Sequence, residues 1–133
     1  MELVRCWEEE GVTIPEPYHR NLKIFFAPDK LGVREISFQQ AIIFPGGKTD
    51  YHKHDRPELI YIVEGQGKSI CEGVETSVGK DVVLWVPAEE MHQMINTGDE
   101  DMKLATVFIP GYEAKDLYAS RLKAAEEARG DKD

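Results

Sequence analysis

The sequence predicts an all-β fold, an antiparallel sandwich or barrel, followed by one C-terminal helix. Three observations carry the prediction. Short β-prone runs recur along most of the chain, and each ends at a glycine or proline turn. Strand-like runs follow one another with no helical segment between them, which points to antiparallel rather than parallel pairing. Only residues 113–129 lack both Gly and Pro and are dominated by Ala, Leu, Lys, Glu and Arg.

In chain order, residues 1–21 mix polar and apolar groups around Pro15 and Pro17 and read as an arm or edge strand. The run LKIFFA over 22–27 is a strand, stopped by Pro28-Asp29. Residues 34–44 are rich in Ile and Phe and stop at Pro45-Gly46-Gly47. ELIYIVE over 58–64 is a strand ending at Gly65, and 68–72 with 74–77 read as a hairpin around Gly73. DVVLWV over 81–86 precedes Pro87, and 92–95 and 102–109 complete a barrel spanning 22–110. In the last segment Ala114, Leu117, Tyr118, Leu122 and Ala125 recur at three- and four-residue steps, one helix face over 113–130, with Gly130 as its stop. That face is expected to pack on the barrel or on a partner subunit.

A chain of 133 residues is the size of one ordinary domain, and the prediction is a single domain over 1–133. With 41% hydrophobic and 31% charged residues, the composition is globular rather than disordered. Acidic residues outnumber basic ones 25 to 16, and a formal charge of −9 argues against nucleic acid and anionic lipid as partners. The longest apolar runs, AIIF and VVLWV, fall far short of the roughly 18 residues of a membrane span. MELVRCWEEEG holds no signal-length apolar core, and Cys6 and Cys71 are too sparse for a secreted disulfide framework. A soluble, cytoplasmic protein with reduced thiols is expected.

The chemistry centres on GGKTDYHKHDRPELIYIVEG, residues 46–65. In an extended segment His52 and His54 point to the same face, about 7 Å apart at Cα, so their imidazoles can converge on one ion. Pro57 forces a bend that can bring Glu58 to the same point. His92, in VPAEEMHQMIN, can join from behind the Pro87 turn. Three imidazoles and a carboxylate suit one divalent first-row ion: Mn, Fe, Co, Ni or Zn. For the two histidines taken alone, the plainer reading, solvated polar residues in a surface loop, is the commoner one.

The spacing of the whole stretch resembles the first motif of the cupin superfamily: Gly46, five residues, His52, one, His54, three, Glu58, six, Gly65. Pro87, His92 and Asn96 resemble its second motif, and the short gap between Gly65 and Gly79 is similar to small single-domain prokaryotic cupins. The resemblance implies a double-stranded β-helix, or jelly-roll barrel, with His52, His54, Glu58 and His92 as metal ligands in its mouth. It implies a small-molecule ligand or substrate, and a homodimer formed through sheet edges in which the N-terminal arm can be exchanged. Dioxygenases, decarboxylases, sugar isomerases and lyases share this ligand set, with hydroxy acids, keto acids or sugars as fitting substrates. A barrel that binds a metal or small ligand without chemistry is the alternative. Two departures stand out. Glu89 occupies a place where the family usually has Gly, so that turn is expected to take a conformation that a non-glycine residue tolerates. Seven residues rather than the usual five separate Gly79 from Pro87, which preserves strand parity.

Alternation from Glu58 places Ile60 and Ile62 inward with Tyr61 and Val63 outward, and from His92 it places Met94 and Asn96 inward. Ile60, Ile62 and Met94 are pocket walls or ordinary barrel core. One of Gln39 and Gln40 must face inward and needs partners there. Trp85 reads as core, with a pocket-wall role as the alternative. His19 reads as a solvated histidine, and Glu8, Glu9 and Glu10 as a solvated face. No hydrolase triad, phosphate loop or clear acid–base residue accompanies the ligands.

Overall fold

Strand alternation closes the chain into two antiparallel sheets. The computed structural model describes residues 1–130. After a short 3₁₀ turn (Cys6–Glu8) come β1 (Val12–Ile14), β2 (Arg20–Phe26), β3 (Ser37–Ile43), β4 (Glu58–Glu64), β5 (Gln66–Cys71), β6 (Val74–Gly79), β7 (Val83–Val86), β8 (His92–Asn96), β9 (Met102–Phe108) and the helix α1 (Ala114–Arg129). One sheet has the order β1-β2-β3-β9-β4-β7 and the other β6-β5-β8. Jelly-roll connectivity puts β9 between β3 and β4, so that Gln39, Thr106 and Ile60 form one cross-strand row. Phe108 likewise stands opposite Glu58.

The inward rows of both sheets make the core, which includes Leu22, Ile24, Ile43, Ile62, Met102, Leu104 and Phe108. Burial in β4 and β8 alternates as the pattern requires: Ile60, Ile62, Met94 and Asn96 are buried, while Tyr61 is exposed. Trp85 corrects the sequence reading. It is 57% exposed, neither core nor pocket wall, because β7 turns Val86 inward opposite Glu58 and thereby sends Trp85 out. β3 begins at Ser37 rather than at Arg34, because Leu31 and Gly32 make a left-handed turn that delays pairing.

Helix α1 is anchored from far away in sequence. Asp29 accepts hydrogen bonds from the first backbone N–H groups of the helix, Ala114 at 2.6 Å and Lys115 at 3.1 Å. Burial nudges the Asp29 carboxyl up, but these two N–H groups outweigh it and hold the carboxyl below its ordinary range. Tyr118 Oη accepts from Ile24 N at 3.0 Å, and Gly130 closes the helix at φ 73°. Leu117 and Ala125 are buried against the barrel, but Leu122 is not: the helix turns it to the rim, where it stays partly exposed.

The Glu89 turn differs from expectation. The backbone keeps the left-handed conformation that a glycine would supply, with Glu89 at φ 72°. The turn is worth holding, because Glu89 N donates to His54 O at 2.7 Å and pins the histidine segment. A non-glycine residue pays roughly 1 kcal/mol there. Glu89→Gly is therefore expected to stabilise the protein by about 1 kcal/mol, read as a melting rise of about 4 °C. A lower melting temperature for the variant would contradict this account.

Candidate metal centre

The histidine segment reaches the barrel through backbone pairing with β8. Thr49 N donates to Met94 O at 2.9 Å, and Asn96 N donates to Gly47 O at 3.0 Å. His52 and His92, forty residues apart in sequence, exchange both backbone hydrogen bonds, at 3.0 and 2.7 Å. Such a pair points both side chains to one side of the ladder. The Pro57 bend then brings Glu58, the first residue of β4, up to the same point.

The four side chains converge. His52 Nε2 lies 2.9 Å from His54 Nε2, and His92 Nε2 lies 3.1 Å from Glu58 Oε1. His54 Nε2 is 3.7 Å from that same carboxylate oxygen, and one ligand atom from each of the three imidazoles falls within 4.8 Å of the others. The outer nitrogens are held by backbone. His52 Nδ1 donates to Asp50 O at 2.6 Å, and His92 Nδ1 donates to Glu90 O at 2.9 Å. Neutral rings fixed in this way turn the Nε2 lone pairs of His52 and His92 inward, toward a carboxylate oxygen that also has only lone pairs to offer. The arrangement calls for a proton or a metal ion among those atoms. Two ligands at right angles around an ion about 2.1 Å away stand roughly 3 Å apart, close to the two shorter spacings observed. The donor set therefore fits a divalent ion.

Electrostatics separate the three histidines. Burial, followed by the positive charge of Arg121, lowers His52 to about 4. Burial, His52 and Arg121 lower His54 to about 2. For His92 burial also pulls down, but the hydrogen bonds to Glu58 and to Glu90 O outweigh it, and the net shift is upward. Two rings are thus held in the neutral form that ligates, while the upward shift of His92 makes a proton there the stronger competitor with a metal. As pH falls through the raised titration range of His92, metal affinity is expected to fall about tenfold per unit, the slope of one proton, and to steepen only near about pH 4 as His52 begins to protonate. Titration of metal binding against pH checks this; a slope of two or three protons near pH 6.5 would show that His52 and His54 titrate as ordinary histidines.

Above these four side chains the barrel holds a cavity with about 60 Å³ open to the centres of water molecules, room for roughly four waters. A wider mouth of about 370 Å³ lies outside it, between the His52–His54 segment and α1. The matching domain family decides what this architecture is: the model of the cupin domain matches residues 40–108. The chain belongs to the cupin family. An uncharacterized protein of Methanocaldococcus jannaschii is 29% identical over 109 residues, covering 81% of each chain. The L-ectoine synthase of Bordetella petrii is 26% identical over 98 residues, covering 72% of this chain and 71% of that one. Among solved structures, a predicted oxalate decarboxylase from Thermotoga maritima superposes with a TM-score of 0.75 at 22% identity, covering 82% of this cupin and 99% of that chain.

Within this cupin Ile60, Met94 and Gln39 line the cavity. Ile62 lies deeper in the core. Gln40 is buried but borders none of the cavity. Asn96 is not a pocket residue either: its amide donates to Ile43 O and Glu100 O, both at 2.8 Å, and its oxygen accepts from Gly98 N, so it ties loops together. His19 packs its ring on Phe44, 4.5 Å between centroids, rather than standing free in solvent. Cys6 and Cys71 are unpaired thiols.

Several site residues escaped the sequence reading. Arg20, Thr106, Phe108 and Arg121 all line the cavity. Phe108 stacks edge-on against His54 at 4.6 Å, and Tyr112 against Phe108 at 4.9 Å. Tyr112 in turn donates to Asp55 and lies under the Arg56 guanidinium at 3.8 Å. Burial, then the Asp55 hydrogen bond, raises the Tyr112 phenol, so it stays protonated at neutral pH and acts as a brace for the segment between His54 and Glu58. Arg121 had one legible signal: it lies four residues after Leu117, on the helix face that packs inward.

Proposed function

We propose that this cupin is a metal-dependent enzyme acting on a small polar substrate, within the dioxygenase, decarboxylase, isomerase and lyase range. The observation that carries the reading is the convergence of His52, His54, Glu58 and His92 beneath a cavity left unfilled by protein. A buried carboxylate against three imidazoles is costly as a purely structural device, since apolar residues would fill the same volume at no charge-burial cost. A divalent ion held there would polarise a substrate oxygen.

The chain's own groups supply the rest. Asp50 O and Glu90 O fix the ring tautomers of His52 and His92. Ile60, Met94, Leu104 and Phe108 give the cavity apolar walls that limit water, and Gln39, with Nε2 on Thr106 Oγ1 at 2.6 Å, offers a polar contact on the side wall.

The test is elemental analysis of protein purified without added metal, then reconstitution with Mn, Fe, Co, Ni or Zn and assay for turnover and oxygen uptake with hydroxy acids, keto acids and sugars. About one ion per chain and metal-dependent turnover are expected. Metal content near zero that excess ion cannot raise would sink the reading; bound metal without turnover would favour a barrel that only holds a ligand. We further read the protein as a cytoplasmic homodimer. Tyr61, Val83 and Trp85 form an exposed apolar patch on the outer face near the β7 edge, suited to a second copy. Two unpaired thiols suit a reducing compartment, and among the described residues no helix is long and apolar enough to cross a membrane.

A further inference from the structure

Two arginines line the cavity with most of their N–H donors unused, although the Asp50 and Glu58 carboxylates stand near enough to act on Arg20 through space. Arg20, on β2, is 2% exposed, yet its one observed hydrogen bond runs from Nη1 to Tyr18 O at 2.9 Å. A guanidinium carries five N–H donors in a planar fork. Arg121 enters from α1, lines both the cavity and its mouth, and hydrogen-bonds only to Ser120 Oγ, at 3.4 Å. Among the described residues neither arginine forms an ion pair, in a chain whose acidic residues outnumber basic ones 25 to 16. A buried guanidinium that leaves most of its donors without a hydrogen bond is a cost that folds avoid unless something else answers it. Burial, then repulsion from Arg121, pulls Arg20 down to about 10, so it remains charged at neutral pH. On the cavity wall Gln39 Oε1 is buried with no hydrogen-bond partner.

We propose that Arg20 and Arg121 bind the carboxylate of a small organic acid in this cavity, and that Gln39 Oε1 accepts a hydrogen bond from a hydroxyl or amine on the same molecule. Register supports two separate contacts. Arg20 pairs with Ile43, and Gln39 stands opposite Ile24, so the two lie four residues apart along the sheet, about 13 Å at Cα, which the long arginine arm shortens. The planar fork suits a carboxylate, which it grips through two parallel hydrogen bonds. A 60 Å³ space limits the acid to a few heavy atoms. Arg121 sits on the helix at the mouth, so it reaches the acid from outside as Arg20 holds it from within. Only the claim that the acid is a substrate rests on the enzyme reading above; its binding does not.

The test titrates the full chain, metal-free and metal-loaded, with acetate, glycolate, L-lactate, L-alanine and inorganic phosphate, and with acetamide, glycolamide and lactamide as neutral matches. Arginine side-chain N–H signals in NMR give both the site and the dissociation constant. Glycolate, lactate or alanine is expected to shift the Arg20 and Arg121 signals, and glycolate and lactate to bind at least about tenfold more tightly than their amides. Arg121→Gln, at a half-buried helix position that leaves the core intact, is expected to weaken the acid about tenfold or more, and Arg20→Lys to weaken it too, since it keeps the charge and loses the fork. Acid binding in protein that takes up no metal would uphold the carboxylate site and sink the metal reading. Metal uptake with no acid shifting either signal would do the reverse. Amides binding as well as acids, phosphate alone binding, or Arg121→Gln binding like the parent would each overturn the proposal.

Discussion

His54→Ala is expected to lower metal affinity by more than about 100-fold while leaving the barrel folded. Loss of a group that merely orients a ligand costs about 10- to 100-fold, and removing the ligand itself must cost more. The fold survives for a local reason. His54 sits outside β4, in a segment held by backbone bonds that the substitution keeps, including Glu89 N to His54 O. Deleting a buried imidazole driven down to about 2 also removes a group that the interior keeps neutral at some cost. Elemental analysis beside circular dichroism checks both halves. Unchanged metal content in a folded variant would refute the role of His54.

Phe108→Ala carries the largest stability effect expected, about 3–5 kcal/mol, against the 5–15 kcal/mol typical of a whole domain. Phe108 is 1% exposed, pairs with Glu58 across the sheet, and supports the rings of His54 and Tyr112. Its loss opens a void directly beneath the three histidines and Glu58, so metal affinity should fall together with stability, although Phe108 itself offers no donor atom to a metal. Urea unfolding and metal titration of the same variant read the two effects. A loss under about 1 kcal/mol would mean that the barrel collapses around the void and that Phe108 is not the support described here.

The four converging side chains were legible because their signals are local. HxH on an extended segment, a proline bend before Glu58, and His92 after a second proline are all matters of spacing, and period-two alternation carried Ile60 and Met94 inward with them. Trp85 misled for an instructive reason. An apolar run such as VVLWV does not say which of its faces is covered, and only the pairing of Val86 with Glu58 settles that. Glu89 misled because a residue identity shows what is comfortable rather than what the turn demands: the bond to His54 O holds the left-handed backbone with or without a glycine. Of the adjacent Gln39 and Gln40, one had to face inward by alternation, but the choice waited for the row with Thr106.

By itself, then, the sequence determined the all-β barrel, the helix after it and the identity of the four side chains, because strand period, turn residues and motif spacing act over a few residues at a time. The tertiary structure alone decided what surrounds them. Arg20 and Arg121 are about a hundred residues apart in sequence and meet only because Asp29 caps α1 and Tyr118 accepts from Ile24 N, docking the helix across the mouth of the cavity. A lone arginine in a strand or on a helix reads as surface. Its partners, or the lack of them, arise from contacts across the whole chain, and no local pattern encodes those.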